Sequence, residues 1–406
     1  MIQKPINHQP ETNNYLPSTI GQQPATRNQK RILMLLTNAF DPDPRVHQEA
    51  KTLAENGYDV TILCWDRDYK ALPCEVIDGI KIERIYVRST HGRGSTQVFF
   101  LHLFWWRAYT RAISKRFDVV HCHDFDTLPL GYLFAKQKKS KLVYDAHESY
   151  VDMLENLPRV FKKVIYAAEN FFLRRADLLI TVGEILKEAF KQRGAKRTCV
   201  VGNWKDPEKF KFPEEVLKSE KRNLKILNGQ LVISFISNLG RERQLPQLIR
   251  AVVDSPGFFL IIGGDGPCQE IAAEAAQHYP NIAYLGRVPP SRVPIYTALS
   301  DIIFYGFDPS NPNSKFSAPN KLFEALAAGK AVLTGEFGEI GRIVKDTKCG
   351  LIIKRFTEEE IKKKLSSLSH EILNRFKENS KKNGLEKYNW QNAHITLLDQ
   401  YNHLLE

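Results

Sequence analysis

Beginning at residue 31, short apolar runs alternate with amphipathic stretches, the pattern of strand, helix and strand in a parallel sheet. RILMLLTNAF reads as the first strand, EAKTLAENG as a helix ending near Gly57, and DVTILCW as the second strand. FDVVHCHDF and KLVYDAHE supply later strands, and DLLITV at 177–182 closes this half. A polar, Lys-rich connector follows around residues 214–230. The rhythm then restarts with LVISFISN, QLIRAVV, FFLIIGGDG, IAYLGRV, DIIFYGF and AVLTG. The pattern predicts an α/β protein of two Rossmann-like, doubly wound domains, residues 30–212 and 228–385, facing across a cleft. Such sheets bind ligands beyond the carboxyl ends of their strands, so strand-to-helix loops should line the cleft. The last segment, YNWQNAHITLLDQYNHLLE, spaces its apolar residues as a helix and defines a terminal element at 386–406, anchored by Trp390.

The length of 406 residues exceeds what one hydrophobic core usually serves, which agrees with two domains. Residues 1–29, rich in Gln, Asn, Pro and Thr and without the apolar block of a secretion signal, read as a disordered tail. No run approaches the roughly 18 apolar residues of a membrane-spanning helix. Six cysteines at 64, 74, 122, 199, 268 and 349 form no CxxC pair, so a cytoplasmic setting is expected, without a zinc site or a disulfide framework. The net charge of +12, much of it in residues 30–212, favours anionic partners. No zinc-finger spacing, RRM-like aromatic signature or basic heptad segment points to nucleic acid.

The most informative stretch is Ser317 to Gly329, SAPNKLFEALAAG. Pro319 suits the first turn of a helix and Gly329 its left-handed cap. Leu322, Phe323 and Leu326 form the buried stripe, while Asn320, Lys321 and Glu324 share another face. A helix start carries unpaired N–H groups and partial positive charge, so a diphosphate would be drawn there, with Lys321 adding a full charge. Glu324 could then accept hydroxyl hydrogen bonds from a ribose; alternatively it only complements the helix dipole and pairs with Lys321. Upstream, Gly263, Gly264 and Gly266 follow a buried strand, as a plain turn or as a loop whose backbone approaches a ligand. The loop SNLGRERQ adds Arg241 and Arg243, two candidate forks for phosphate oxygens.

In order, DPDPRVHQEAKTLAENGYDVTIL, FDVVHCHDFDTLPLGYLFA, KLVYDAHE, ADLLITV, GRERQLPQLIRA, IIGGDGP and APNKLFEALAAGKAVL resemble the family 4 retaining glycosyltransferases of the two-domain B-type fold, the group 1 glycosyl transferases, over about residues 31–400. The look-alikes are bacterial enzymes that build surface polysaccharides. The resemblance implies transfer of a sugar from a nucleotide-diphosphate sugar, UDP- or GDP-linked, to a hydroxyl of a glycan or lipid-linked acceptor, with no further cofactor. It implies that Glu324 holds the nucleotide's ribose, that Arg243, and less securely Arg241, faces the diphosphate, and that Gly264 and Gly266 form the turn beneath the nucleotide. The family motif has two glutamates, and where the first would fall this chain has Phe316. Ser317, Ala318 and their N–H groups would then take over the sugar's side of the site, or the sugar is bound differently. The mechanism implied is front-face displacement, in which a leaving diphosphate oxygen helps to deprotonate the acceptor while Lys321 and Arg243 stabilise its charge.

On the opposite domain, His147 follows the strand KLVYDA and is expected in the cleft, bonded to the sugar or its leaving phosphate, or else capping the next helix, with Glu148 as a first-turn carboxylate. His121, His123, Asp124 and Asp126 look like metal ligands, but strand alternation would bring only some of them together, and no metal is expected. His123 and Asp124 are instead placed on the acceptor side, together with Asp43 and Arg45, whose other reading is a Pro-rich turn with a solvated Arg. VFFLHLFWWRAYTRAISKRF at 98–117 sets Arg107, Arg111 and Lys115 at steps of four beside an aromatic cluster. It reads either as an interfacial helix on an anionic membrane's inner face or as an amphipathic helix buried in the core. Rival functions are a nucleotide-sugar epimerase of the same fold and a non-catalytic nucleotide-binding partner; a NAD-dependent dehydrogenase is disfavoured because TNAFDPDP, not GxGxxG, follows the first strand.

Overall fold

The computed structural model describes residues 29–41, 43–89, 94–154 and 157–406, so the expected tail lies, but for Gln29, outside the described residues. The first domain alternates β1 (Arg31–Leu36), α1 (Pro44–Glu55), β2 (Asp59–Asp66), the hairpin β3 (Cys74–Ile77) and β4 (Ile80–Tyr86), and α2 (Gly94–Ala112). It continues through β5 (Val119–His123), α3 (Leu128–Lys138), β6 (Lys141–Ala146), α4 (Tyr150–Met153), α5 (Arg159–Leu173), β7 (Leu178–Thr181), α6 (Glu184–Gln192) and β8 (Thr198–Val200). The sheet order is β3-β4-β2-β1-β5-β6-β7-β8, all parallel except the β3–β4 hairpin. β1 lies between β2 and β5, so the chain reverses direction at β1, and ligands collect at such switch points.

The polar connector is not structureless. Residues Glu214–Asn223 form α7, and Leu217, Leu224 and Ile226 pack beside Val232 and Phe259 of the second domain. That domain runs β9 (Leu231–Ile236), α8 (Leu245–Val253), β10 (Phe258–Gly263), α9 (Gln269–His278), β11 (Ile282–Tyr284), α10 (Val293–Leu299), β12 (Ile302–Tyr305) and α11 (Asn320–Ala327). It ends with β13 (Ala331–Gly335), α12 (Gly338–Thr347), β14 (Gly350–Ile353), α13 (Glu358–Ser366) and α14 (His370–Glu386). Its six parallel strands are ordered β11-β10-β9-β12-β13-β14, again with the switch beside the first strand. QLIRAVV, the second segment of the renewed rhythm, is the helix α8: Leu248, Ile249, Ala251 and Val252 are buried on one side.

The final helix, α15 (Trp390–Leu405), returns to the first domain, where Ala393, Leu397, Tyr401 and Leu404 join the core beneath β1 and β2. Trp390 packs at the edge of that cluster, as its anchoring role predicts. α1 and α15 cover one face of the first sheet, and α2, α3, α5 and α6 cover the other. Among the described residues, no helix is long and apolar enough to cross a membrane.

Candidate active site

The second domain offers the loops after β9, β10 and β12 and the start of α11. Pro319 stands at the N-cap of α11, one residue ahead of the expected position, with Asn320 first in the helix. Gly329 has φ +63, the left-handed value expected after the helix. Leu322, Phe323 and Leu326 are buried as the spacing requires. Lys321 donates from Nζ to Glu324 Oε2 at 2.6 Å, and both are largely shielded from solvent. Asn320 Oδ1 accepts from Lys205 Nζ at 2.7 Å, and Asn203 donates to the Ala318 carbonyl at 3.0 Å, so the approach to the second domain clamps the helix start.

The glycine loop packs on protein. A Cβ at Gly264, φ +132, would stand 1.8 Å from the Ser237 carbonyl oxygen, and Gly266, φ +141, lies against Asn238 and Leu239. These absences let the loops after β9 and β10 zip together through Ser237 N to Gly263 O, Leu239 N to Asp265 O and Cys268 N to Leu239 O. The next loop is set in the same way: Gly306 leaves room for the Arg243 carbonyl. Arg243 bonds the Tyr305 hydroxyl and lies over that ring, and Tyr305 OH also reaches Ser317 Oγ at 3.5 Å. Arg241 is exposed. Phe316 is half-buried against the core, with Lys315 over its ring.

The first domain's wall is a buried network. His147 Nε2 lies 3.0 Å from Asp145 Oδ2, its Nδ1 3.4 Å from Asp124 Oδ2, and its backbone N–H donates to Asp124 Oδ1 at 3.0 Å. Burial opposes a charge on the ring, but the carboxylates of Asp124 and Asp145 outweigh it and push His147 up to about 10. His147 caps no helix: the N-cap of α4 is Ser149, and the imidazole is held between two acids. Burial alone would raise Asp145, yet Arg45 and the neighbouring histidines hold it well below the usual carboxylate range. Asp124 adopts φ +62, a left-handed conformation that a short polar side chain tolerates.

Four expectations are corrected on this wall. Arg45 is neither solvated nor turned toward an acceptor: it is 8% exposed, forks onto both Asp145 oxygens at 3.1 and 2.7 Å, donates to Val201 O, and lies 3.0 Å from Glu49. Asp43 caps α1 by accepting from the backbone of Arg45 and Val46. His123 is 1% exposed beneath His147, 3.2 Å from Asp145 Oδ2, and so supports the cleft instead of lining it. Glu148 is not a first-turn carboxylate. It precedes the N-cap and accepts from Asn313 Nδ2 of the second domain at 2.6 Å; burial raises its carboxyl above the ordinary range, against the lowering by that bond and, more weakly, by His147 and Arg243. That pair places His147 and Arg243 on facing walls.

His121 and His123 do share a face, but with Glu49 and Asp145 instead of Asp124 and Asp126; ligand atoms of these four buried residues lie within 4.8 Å of one another. Their types could hold a metal. Arg45 already places its guanidinium against both carboxylates, which supplies the positive charge the group requires. Glu49, Asp145, Lys205, Tyr305 and Asn313 are the members of the site that sequence reasoning missed. Only the i, i+4 spacing of Arg45 and Glu49 signals one of them.

Two family models cover most of the chain: a glycosyl transferase 4-like domain over residues 42–204 and the glycosyl transferases group 1 over 216–383. The chain belongs to the group 1 glycosyltransferases, with two Rossmann-like domains in the B-type arrangement. It is 28% identical to a putative teichuronic acid biosynthesis glycosyltransferase, TuaH of Bacillus subtilis, over 203 residues, which are 48% of this chain and 50% of that one. Its fold matches sucrose-phosphate synthase from Thermosynechococcus elongatus at a TM-score of 0.75 and 14% identity, covering 92% of this chain and 99% of the other. It also matches Anabaena HepE in complex with UDP-glucose at a TM-score of 0.69 and 15% identity, covering 92% and 99%.

Proposed function

We propose that the protein transfers a sugar, with retention of anomeric configuration, from a UDP- or GDP-linked donor to a hydroxyl of a glycan or lipid-linked acceptor in cell-surface polysaccharide synthesis, on the cytoplasmic side of the membrane. The observation that carries this reading is the contact of the two domains at two points: Asn313 bonds Glu148, next to His147, and Lys205 bonds Asn320, next to Lys321. His147, Arg243 and Lys321 stand on the elements at these contacts, and such cations suit a diphosphate. Similarity to a HepE structure holding UDP-glucose supports the choice of donor, and similarity to TuaH supports the polysaccharide role.

In this reading, the start of α11 and Lys321 hold the diphosphate, and Glu324, released from Lys321, accepts two ribose hydroxyls. Arg243 and the imidazolium of His147 face the oxygens on which charge grows as the glycosyl bond breaks. The leaving oxygen takes the acceptor's proton, so the chain supplies position and charge instead of a nucleophile. Ser317 stands where the sugar would lie, beside Phe316. No cofactor beyond the nucleotide sugar is required.

Incubation of the protein with UDP- and GDP-sugars and a polyol acceptor, with the product's anomeric configuration read by proton NMR, tests this proposal. An α-linked donor should give an α-linked product. An inverted product would reject the mechanism. Epimerised nucleotide sugar formed without acceptor would favour the epimerase.

A further inference from the structure

The helical layer over the first sheet is built unlike the rest of the surface. α2, α3 and α5 lie side by side on it, with α3 in the middle. Their combined sequences hold seven Lys and Arg and a single acid, Glu169, which is buried against Tyr144 and Arg193. α2 is less membrane-like than its sequence suggests: Phe104 is fully buried, Trp105 donates its indole N–H to Asp126 O, and Arg111 and Lys115 both pair with Glu83. That helix is largely committed to the core, although Phe99 and Trp106 remain exposed.

α5 is the opposite case. Val160, Val164, Ala167 and Phe171 recur at helical spacing and all are exposed, with Val160 at 71% and Val164 at 61%; Phe161 beside them is 58% exposed. A soluble helix turns such a stripe inward, but here the inward face is already filled by Ile165, Ala168, Phe172 and Leu173. Arg159 and Lys163 flank the outward stripe, are exposed, and make no ion pair among the described residues. Apolar side chains flanked by unpaired cations, with no exposed acid on the helix, match an anionic lipid surface.

We infer that the outward face of α5 is an interfacial docking surface for anionic phospholipid, with Phe99 and Trp106 of α2 as a second point of contact. Lys162, on the opposite side of the same helix, lines a cavity at the cleft's rim with Asp152, Glu242 and Asp308. A membrane under α5 would lie about one helix diameter, roughly 10 Å, from that rim, within reach of a lipid-borne hydroxyl. This purpose rests on the acceptor proposed above, but the docking itself does not.

Flotation of the full chain, without nucleotide, on phosphatidylglycerol/phosphatidylcholine vesicles and on phosphatidylcholine alone tests the inference. Recovery is expected with the anionic vesicles at low salt and should fall as salt rises. Arg159→Ala/Lys163→Ala should weaken it by about fivefold per cation. Val164→Glu should abolish it while the melting temperature stays unchanged, since the side chain is exposed. Lack of recovery at low salt, or recovery that Val164→Glu leaves intact, would overturn the inference. So would a dimer in sedimentation that Val164→Glu converts to monomer, because a second copy would then cover the face. Intact UDP binding with lost flotation would sink only this docking surface; lost UDP binding with intact flotation would sink only the proposed function.

Discussion

The two walls of the cleft hold their charges in opposite ways. On the first domain, His147, Asp145, Arg45 and Glu49 are locked to one another, and three of the four are at most 8% exposed. On the second, Lys321 and Glu324 satisfy each other at the start of a helix, and Arg243 rests on a tyrosine ring. The first arrangement fixes a geometry before anything binds. The second keeps charges in partnerships that, in the proposed function, a nucleotide would replace. The proposed site would use both: exchangeable partners for binding the donor, and a fixed imidazolium for the moment the bond breaks.

The largest effect that separates the walls is expected at Arg45. Arg45→Ala leaves Asp145 and Glu49 buried without their counter-ion, so urea unfolding should show a loss of about 3–5 kcal/mol. A loss below about 1 kcal/mol would mean that the network is not the closed, desolvated unit described here. Next comes Gly264→Ala, whose new methyl would meet the Ser237 carbonyl at a left-handed backbone position; a loss of roughly 1–3 kcal/mol is expected in the same measurement. Lys321→Ala should differ from Arg45→Ala in acting on ligand binding as well as on stability. It leaves the buried Glu324 carboxylate without its cation, so a smaller loss than at Arg45, roughly 1–3 kcal/mol, is expected in the same measurement. Nucleotide-diphosphate affinity should drop by about tenfold, the weight of one charge-assisted bond.

The smallest and most specific change is expected from Asp124→Asn. Because the folded value of His147 lies at about 10, above its ordinary 6.5, the stability from its ion pairs is fully present below 6.5 and is lost as pH rises through 10. Removing the Asp124 charge weakens support for the cation, so the alkaline limb of the pH–rate profile should move to lower pH while the acidic limb stays. An unmoved alkaline limb would show that the charge of His147 does not serve the reaction.

Much of this was legible in the chain. The central strands are apolar runs buried on both faces, unlike the half-exposed β3–β4 hairpin, and α11 announces itself through Pro319, its buried stripe and Gly329. Parallel-sheet order then sends His147 and Glu324 to loops at the same end of their sheets, which periodicity alone predicts. What escaped were matters of partner choice. The inward turn of His121 and His123 is readable from strand parity, but their partners come from α1 and from β6, far away in sequence. Arg45 looked like a loop arginine because nothing local shows that Asp145 will sit opposite it. α7 was hidden by its polarity, since it buries only Leu217 and a few neighbours beside the second domain. α2 misled because an aromatic cluster reads alike in a core and in a membrane, and only α5's filled inner face shows which helix is left over.

The proposed donor site requires Glu324 to exchange Lys321 for a nucleotide. Calorimetric titration of UDP and GDP into the wild-type protein and Glu324→Ala tests it directly. The wild type should bind one of the two, and the variant, with its fold intact, should bind it at least about a hundredfold more weakly, the loss of two hydrogen bonds to a charged group. A variant that binds that nucleotide as tightly as the wild type would contradict the placement of the donor at α11.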